Sequence, residues 1–312
     1  MKVVFYLKSL NAKAQLESNK GQILNKFALG VTAKGDEAVL HNSNDIIPAD
    51  AAMIVGWVHE ESKNTSHLML RKKVFDTQIL QKKKMLIADS NLFLYANTGN
   101  PMYYLRYSYN GVFPNTGIYC DDVVDPARWK TISTNTGITL KDYRKNGHHI
   151  LLCLQRNGGW SMAGYNVVDW TASIIREIRK HSDREIIIRP HPGDKDAANY
   201  LSPKNLMSKI GLLKGVRLSR PNASLIDDLH KCWAVVNHNS SPAVGAAIEG
   251  YPIFVTDPKR SQCAEIANTE IKNIESPILY DRQAWIERLS MFHWNFKETS
   301  SGEAWEHMRK YL

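Results

Sequence analysis

The sequence predicts an α/β protein made of two Rossmann-like, doubly wound domains that face a central cleft. Three observations carry that expectation. Short apolar runs rich in β-branched residues alternate with amphipathic stretches, the pattern that builds parallel sheets covered by helices. The alternation occurs twice, once up to about residue 95 and again from about residue 148. Between the two lies an aromatic, turn-rich insert, followed by the polar stretch TLKDYRKNG, which carries Gly147 and reads as a linker.

Taken in order, the strand-like runs of the first half are KVVFYL from Lys2, AAMIVGWV from Ala51 and KKMLIAD from Lys83. Those of the second half are HHILLCLQ from His148, EIIIRP from Glu185, KGVRLS from Lys214, CWAVVNH from Cys232 and YPIFVTD from Tyr251. The stretches NVVDWTASIIREIRKH, ASLIDDLHK and SPAVGAAIEG carry apolar residues at helical spacing. The expected domains are 1–146 and 147–295, with 296–312 as a helix that packs back on the first. Ligands of such sheets gather at the carboxyl ends of the strands, so the loops there are where chemistry is sought.

Composition narrows the class. The chain has 312 residues, 43% of them hydrophobic, enough for two compact cores. It contains no apolar run of about 18 residues, and only five apolar residues follow Lys2, too few for a signal peptide. A cytoplasmic protein with no membrane span is expected. Cys120, Cys153, Cys232 and Cys263 are scattered without a paired spacing, which suggests buried free thiols and no zinc site. The net charge is +9, and residues 1–147 hold 19 basic against 13 acidic residues. Arg71-Lys72-Lys73 and Lys82-Lys83-Lys84 are the densest clusters, and they read either as solvated helix ends or as a face for a polyanion.

Three strand-end loops of the second half are chemically unusual. In LQRNGGWSM, Gly158 and Gly159 allow close backbone approach to a ligand, Arg156 can pair with phosphate and Ser161 can donate a hydrogen bond. The spacing matches neither a Walker A loop nor GxGxxG. In RPHPGD, two prolines restrict His191 beside Arg189, and two donors at a strand terminus make an anion site. Asp194-Lys195-Asp196 spells a DxD pattern but reads better as a helix cap than as a metal site. In NHNSSP, His238, Asn239, Ser240 and Ser241 precede Pro242 at a helix start, a place suited to phosphate.

HNSSPAVGAAIEGYPIFV and IIIRPHPGD together resemble the donor-binding half of GT-B glycosyltransferases, in particular the bacterial capsule-polysaccharide transferase group. The likeness covers Ile186 to Val255 closely. It implies a nucleotide-sugar donor, UDP-linked, with its diphosphate on Ser240 and Ser241 and with Arg189 and His191 nearby. The ribose-binding glutamate of many GT-B proteins would fall at Gly245, so either Glu249 takes over from a shifted helix or the ribose is held otherwise. An inverting, metal-independent transfer needs a base near the acceptor, and Asp89 at a strand end is the choice ahead of Asp121, Asp122 and Asp125. His191 joins it as the second catalytic residue.

The insert NPMYYLRYSYNGVFPNTGIY sets aromatics beside positive charge, which suits stacking on bases or sugars, or a tyrosine-rich sheet edge. LLCLQRNGGWSM and RPHPGD also resemble phage transferases that glycosylate hydroxymethylated pyrimidines. On that resemblance the acceptor is DNA, held by Arg71, Lys72, Lys73, Lys83, Tyr104, Arg106 and Tyr107. The alternatives are a surface polysaccharide acceptor, a nucleotide-sugar epimerase, and a non-catalytic nucleic-acid or glycan-binding protein.

Overall fold

The computed structural model describes residues 1–16, 19–57, 65–93, 95, 102–210 and 214–312. Among them, twelve strands form two six-stranded sheets. They are β1 (Lys2–Tyr6), β2 (Glu37–His41), β3 (Ala51–Val55), β4 (Lys84–Asp89), β5 (Leu105–Tyr109), β6 (His149–Cys153), β7 (Glu185–Arg189), β8 (Val216–Leu218), β9 (Cys232–Asn237), β10 (Ile253–Val255), β11 (Ala267–Asn268) and β12 (His293–Trp294).

The chain divides into two compact units. The first holds the described residues of 1–92 and 102–137 together with 286–312; the second holds the described residues of 138–285 with Phe93 and Tyr95. The division falls after Gly137 instead of after 146. Gly137 ends the helix Pro126–Thr136 in the left-handed conformation, so the helix stops there and the chain leaves the first unit. The return comes at 286, ahead of the expected 296.

In the first unit the sheet order is β2-β1-β3-β4-β5-β12, parallel from β2 to β4 and antiparallel at β5 and β12. Val3, Val4 and Phe5, like Leu86, Ile87 and Ala88, are fully buried, because both faces of these strands are covered. The 296–312 segment forms two short helices, Phe296–Ser301 and Glu303–Met308, parted by Gly302 at φ +90°. The first lies so close to the helix Ile23–Ala33 that a Cβ on Gly30 would overlap the Thr299 carbonyl oxygen. Trp305 Nε1 donates to Asp36 Oδ2 at 2.7 Å, and the indole is buried in the core with Phe27 and Tyr107.

In the second unit the order is β11-β10-β9-β6-β7-β8, every neighbour parallel. Its core sets Ile150, Leu152, Ile186, Ile188, Ala234 and Val236 against the helix Val167–Arg179. Asn166 starts that helix by accepting from the amides of Val168 and Asp169, and its buried face carries Val167, Thr171, Ile174, Ile175 and Ile178. All four cysteines are free and buried. No helix among the described residues is long and apolar enough to cross a membrane.

Candidate functional site

Counted from β6, the second sheet has the strand order 3-2-1-4-5-6, and its connections change direction between β6 and β9. Such a switch point opens a crevice at the carboxyl ends of the strands. Here it is flanked by the loops after β6 and β9, and a polar network ties them together. Gln155 Nε2 donates to Asn239 Oδ1 at 2.5 Å, while Asn239 Nδ2 donates to the Ser161 carbonyl at 3.1 Å and to Asp257 Oδ2 at 3.0 Å. Asn239 thereby fixes three loops at once. His238 Nδ1 lies 2.7 Å from the Thr256 hydroxyl, which accepts from Trp170 Nε1, and the rings of Tyr165 and Trp170 stand edge-on to the imidazole. Burial holds the His238 pKa below the usual histidine range against the pull of Asp257. Gln155 Oε1, Asn237 Oδ1 and His238 Nε2 are buried here without a hydrogen-bond partner.

Arg156 of the loop after β6 supplies the cation, and it lies against the loop after β7. Arg156 is exposed, and its guanidinium lies across Gly193, where a Cβ would come within 2.5 Å of Nη2. The amide of Gly193 donates to His191 Nδ1 at 3.0 Å, which leaves the neutral ring's proton on Nε2. Burial first, and Arg156 next, lower the His191 pKa, so at neutral pH the ring is an uncharged N–H donor beside a cation. Gly158, at φ +66°, makes the turn that brings Arg156 there. Asp194 accepts from the Asn157 amide at 2.9 Å, the Tyr200 hydroxyl at 2.6 Å and the Asp196 amide at 3.3 Å. The first aspartate of the DxD pattern is therefore the brace of this loop, whereas Asp196 caps nothing with its side chain.

At the helix Pro242–Ile248 the two serines part company. Asn237 Nδ2 donates to the Ser240 carbonyl at 2.9 Å and to its hydroxyl at 3.2 Å, so Ser240 is engaged in the turn. Ser241 is exposed, stands at the N-cap and makes no capping bond.

No family model and no curated protein sequence matches the chain. Among solved structures it is similar to the beta Kdo 2,4 transferase KpsC of Thermosulfurimonas dismutans, at 13% identity, covering 92% of this chain and 89% of that one with a TM-score of 0.52. The fold is GT-B. The KpsC beta Kdo 2,7 transferase of the same organism is also similar, at 12% identity over 97% of this chain and 99% of that one, with a TM-score of 0.49.

In the second unit, two expected ligand contacts are otherwise committed. Arg189 forms a buried ion pair with Asp228 and donates to the carbonyls of Ala223 and Ser224 at 2.9 and 3.2 Å. It joins β7 to the helix Leu225–Leu229 and is not presented as an anion receptor. Glu249 accepts from Lys141 Nζ at 2.6 Å and from the Tyr95 hydroxyl at 3.2 Å, so its carboxylate holds the linker and not a ribose. A Cβ on Gly245 would overlap the Tyr95 ring, which is why no glutamate fits at that position.

The first GT-B unit corrects the acceptor assignments. Asp89 Oδ2 is paired with the buried Arg106, its register partner across β4 and β5, and Oδ1 accepts from the Ser90 amide at 2.8 Å. A carboxylate engaged at both oxygens is not poised as a base. Tyr104 and Tyr107 are 0% exposed and cannot stack on a ligand. Lys72 is exposed but paired with Asp76, Lys73 is exposed, and Lys83 reaches the Ala49 carbonyl and Asp50. Asp125 caps the helix Pro126–Thr136 through the Ala127 amide, and Asp121 pairs with Arg288. Asp257, Thr256, Trp170 and Gln155 went unrecognised in the sequence. Their signal was position alone, since Gln155 and the Thr256-Asp257 pair follow β6 and β10 at the same sheet edge.

Proposed function

We propose that the protein is a glycosyltransferase that moves a sugar from a nucleotide-sugar donor, UDP-linked in the first instance, to a surface polysaccharide. The observation that carries this reading is the edge of the second sheet in a GT-B fold. Exposed Arg156, the Nε2–H of neutral His191 and the uncommitted hydroxyl of Ser241 are three donors in the loops after β6, β7 and β9. Such an array suits a diphosphate, and it would stabilise the charge that grows on the leaving group as the glycosidic bond to the donor breaks. His191 in this role is a hydrogen-bond donor to the leaving phosphate.

A polysaccharide acceptor is supported by the likeness to a Kdo transferase of the KpsC type. The DNA reading loses its footing in the residues that suggested it, because Tyr104 and Tyr107 are internal and Arg106 is spent on Asp89. The reading includes an inverting reaction that needs no divalent metal, with Asp194 used as a brace and Arg156 supplying positive charge. The test is incubation with UDP-, GDP- and CMP-sugars and a panel of bacterial oligosaccharides, with and without chelator, and mass spectrometry of the products. A sugar increment on an oligosaccharide that survives chelation is the expected result. An increment only on duplex DNA carrying 5-hydroxymethylcytosine or 5-hydroxymethyluracil would overturn the acceptor, and no increment on any substrate would overturn the activity.

A further inference from the structure

The first sheet has its own switch point. Counted from β1, its parallel part runs 2-1-3-4, so the connections change direction between β1 and β3. The side chain standing at the carboxyl edge of those strands is Arg71, from the helix Ser66–Leu80. Its Nε donates to the Ser9 carbonyl at 2.8 Å, in the turn after β1, and its Nη1 donates to the Trp57 carbonyl at 3.3 Å, in the loop after β3. Both loops are themselves fixed. The buried Ser9 hydroxyl accepts from the Val55 amide at 3.2 Å, and the Gly56 amide donates to the Ala88 carbonyl at 2.8 Å. Gly56 has φ +80°, and a Cβ there would stand 2.7 Å from Nη1, so the absence of a side chain is what lets the guanidinium lie on the backbone.

The charge on this guanidinium is poorly matched. Among the described residues no carboxylate reaches ion-pair distance of Arg71, and the acid whose charge acts on it, Asp89, is already paired with Arg106. Among the described residues, two arginines and one aspartate leave one positive charge, since burial and Arg71 itself keep His67 below the usual histidine range. Burial lowers the Arg71 pKa to about 10, which leaves it charged at neutral pH. Half-buried, it keeps part of its surface open to solvent. Neutral carbonyls orient a guanidinium without neutralising it, so an incoming oxyanion meets a cation whose geometry is already set.

We propose that Arg71 is the receptor for an oxyanion on the acceptor, a sugar carboxylate or a phosphate, at the switch point of the first sheet. The term acceptor rests on the glycosyltransferase reading, whereas the anion site does not. The experiment is a ¹⁵N-edited NMR titration of the Arg71 Nε–Hε resonance, assigned by its loss in Arg71→Lys. The probes are methyl glucuronide, glucose 1-phosphate and neutral methyl glucoside at one ionic strength. The expected result is a saturable shift with the carboxylate, the phosphate or both, and none with the neutral sugar. Response to the glucuronide alone identifies an acidic sugar as the source of the anion, and response to the phosphate alone identifies a phosphorylated one. Arg71→Lys keeps the charge and loses the fork, and should weaken binding about tenfold or more. No shift with either anion, or an equal shift with the neutral sugar, would overturn the proposal; both are read on the unaltered protein, whatever the variant's stability. Failed sugar transfer would retract the proposed activity and leave these titrations standing, while intact transfer with an unresponsive Arg71 would retract this inference alone.

Discussion

Asp89 shows how one residue can be read two ways, and the two readings predict different losses. Its pairing with Arg106 is largely buried, with side-chain exposures of 24% and 11%. Removing one partner of such a pair leaves the other charge uncompensated and costs about 3–5 kcal/mol. Asp89→Asn should therefore lower the urea midpoint strongly, with activity falling only as far as the folded fraction does. Unchanged stability with abolished turnover would restore Asp89 as the base. Arg189 and Arg156 make the complementary point. Both are arginines at strand ends, but the partner that claims Arg189 lies 39 residues on, at Asp228, and nothing local in RPHPGD announces it.

At the scale of elements, most parallel strands were legible because burial on both faces demands unbroken apolar runs. The strands that were missed break that rule. β2 reads EAVLH and is half exposed, β11 and β12 have two residues each, and β5 lay hidden in a tyrosine-rich stretch whose rings turn out to be core. The helix Pro242–Ile248 was legible from Ser241-Pro242 at its start and Gly250 past its end. Gly250 has φ +90°, and a Cβ there would overlap the Asp142 carbonyl oxygen, so this glycine also seats the linker against the second unit. Gly250→Ala should cost roughly 1–3 kcal/mol from the backbone conformation alone, seen as a lower Tm. A loss under about 0.5 kcal/mol would contradict the left-handed conformation at Gly250.

For the whole molecule, acid sensitivity follows from its buried histidines. His293 is 0% exposed, its Nδ1 donates to the Leu289 carbonyl at 2.8 Å, its Nε2 accepts from the Leu92 amide at 3.2 Å, and burial pushes its pKa down to about 3. Its folded-state pKa lies below the unfolded value, so its contribution is complete above about pH 6.5 and is lost as the pH falls toward 3. At pH 4.5 that loss is on the order of 3 kcal/mol. His67, His149, His191, His238 and His307 shift the same way. Urea midpoints at pH 7 and 4.5 should differ accordingly, and His293→Gln should narrow the gap. Equal midpoints would contradict the neutral buried imidazole.

The proposed function requires that the edge of the second sheet bind the diphosphate of a nucleotide through Arg156 and His191. Isothermal titration with UDP, CDP and GDP tests it most directly, on the wild type, Arg156→Gln and His191→Asn. Saturable binding of at least one of the three is expected, weakened about tenfold or more in each variant through loss of a charge-assisted or donor contact. Arg156→Gln, whose wild-type side chain is exposed, should unfold at a midpoint near that of the wild type. No binding of any nucleotide, or unchanged affinity in both variants, would contradict it.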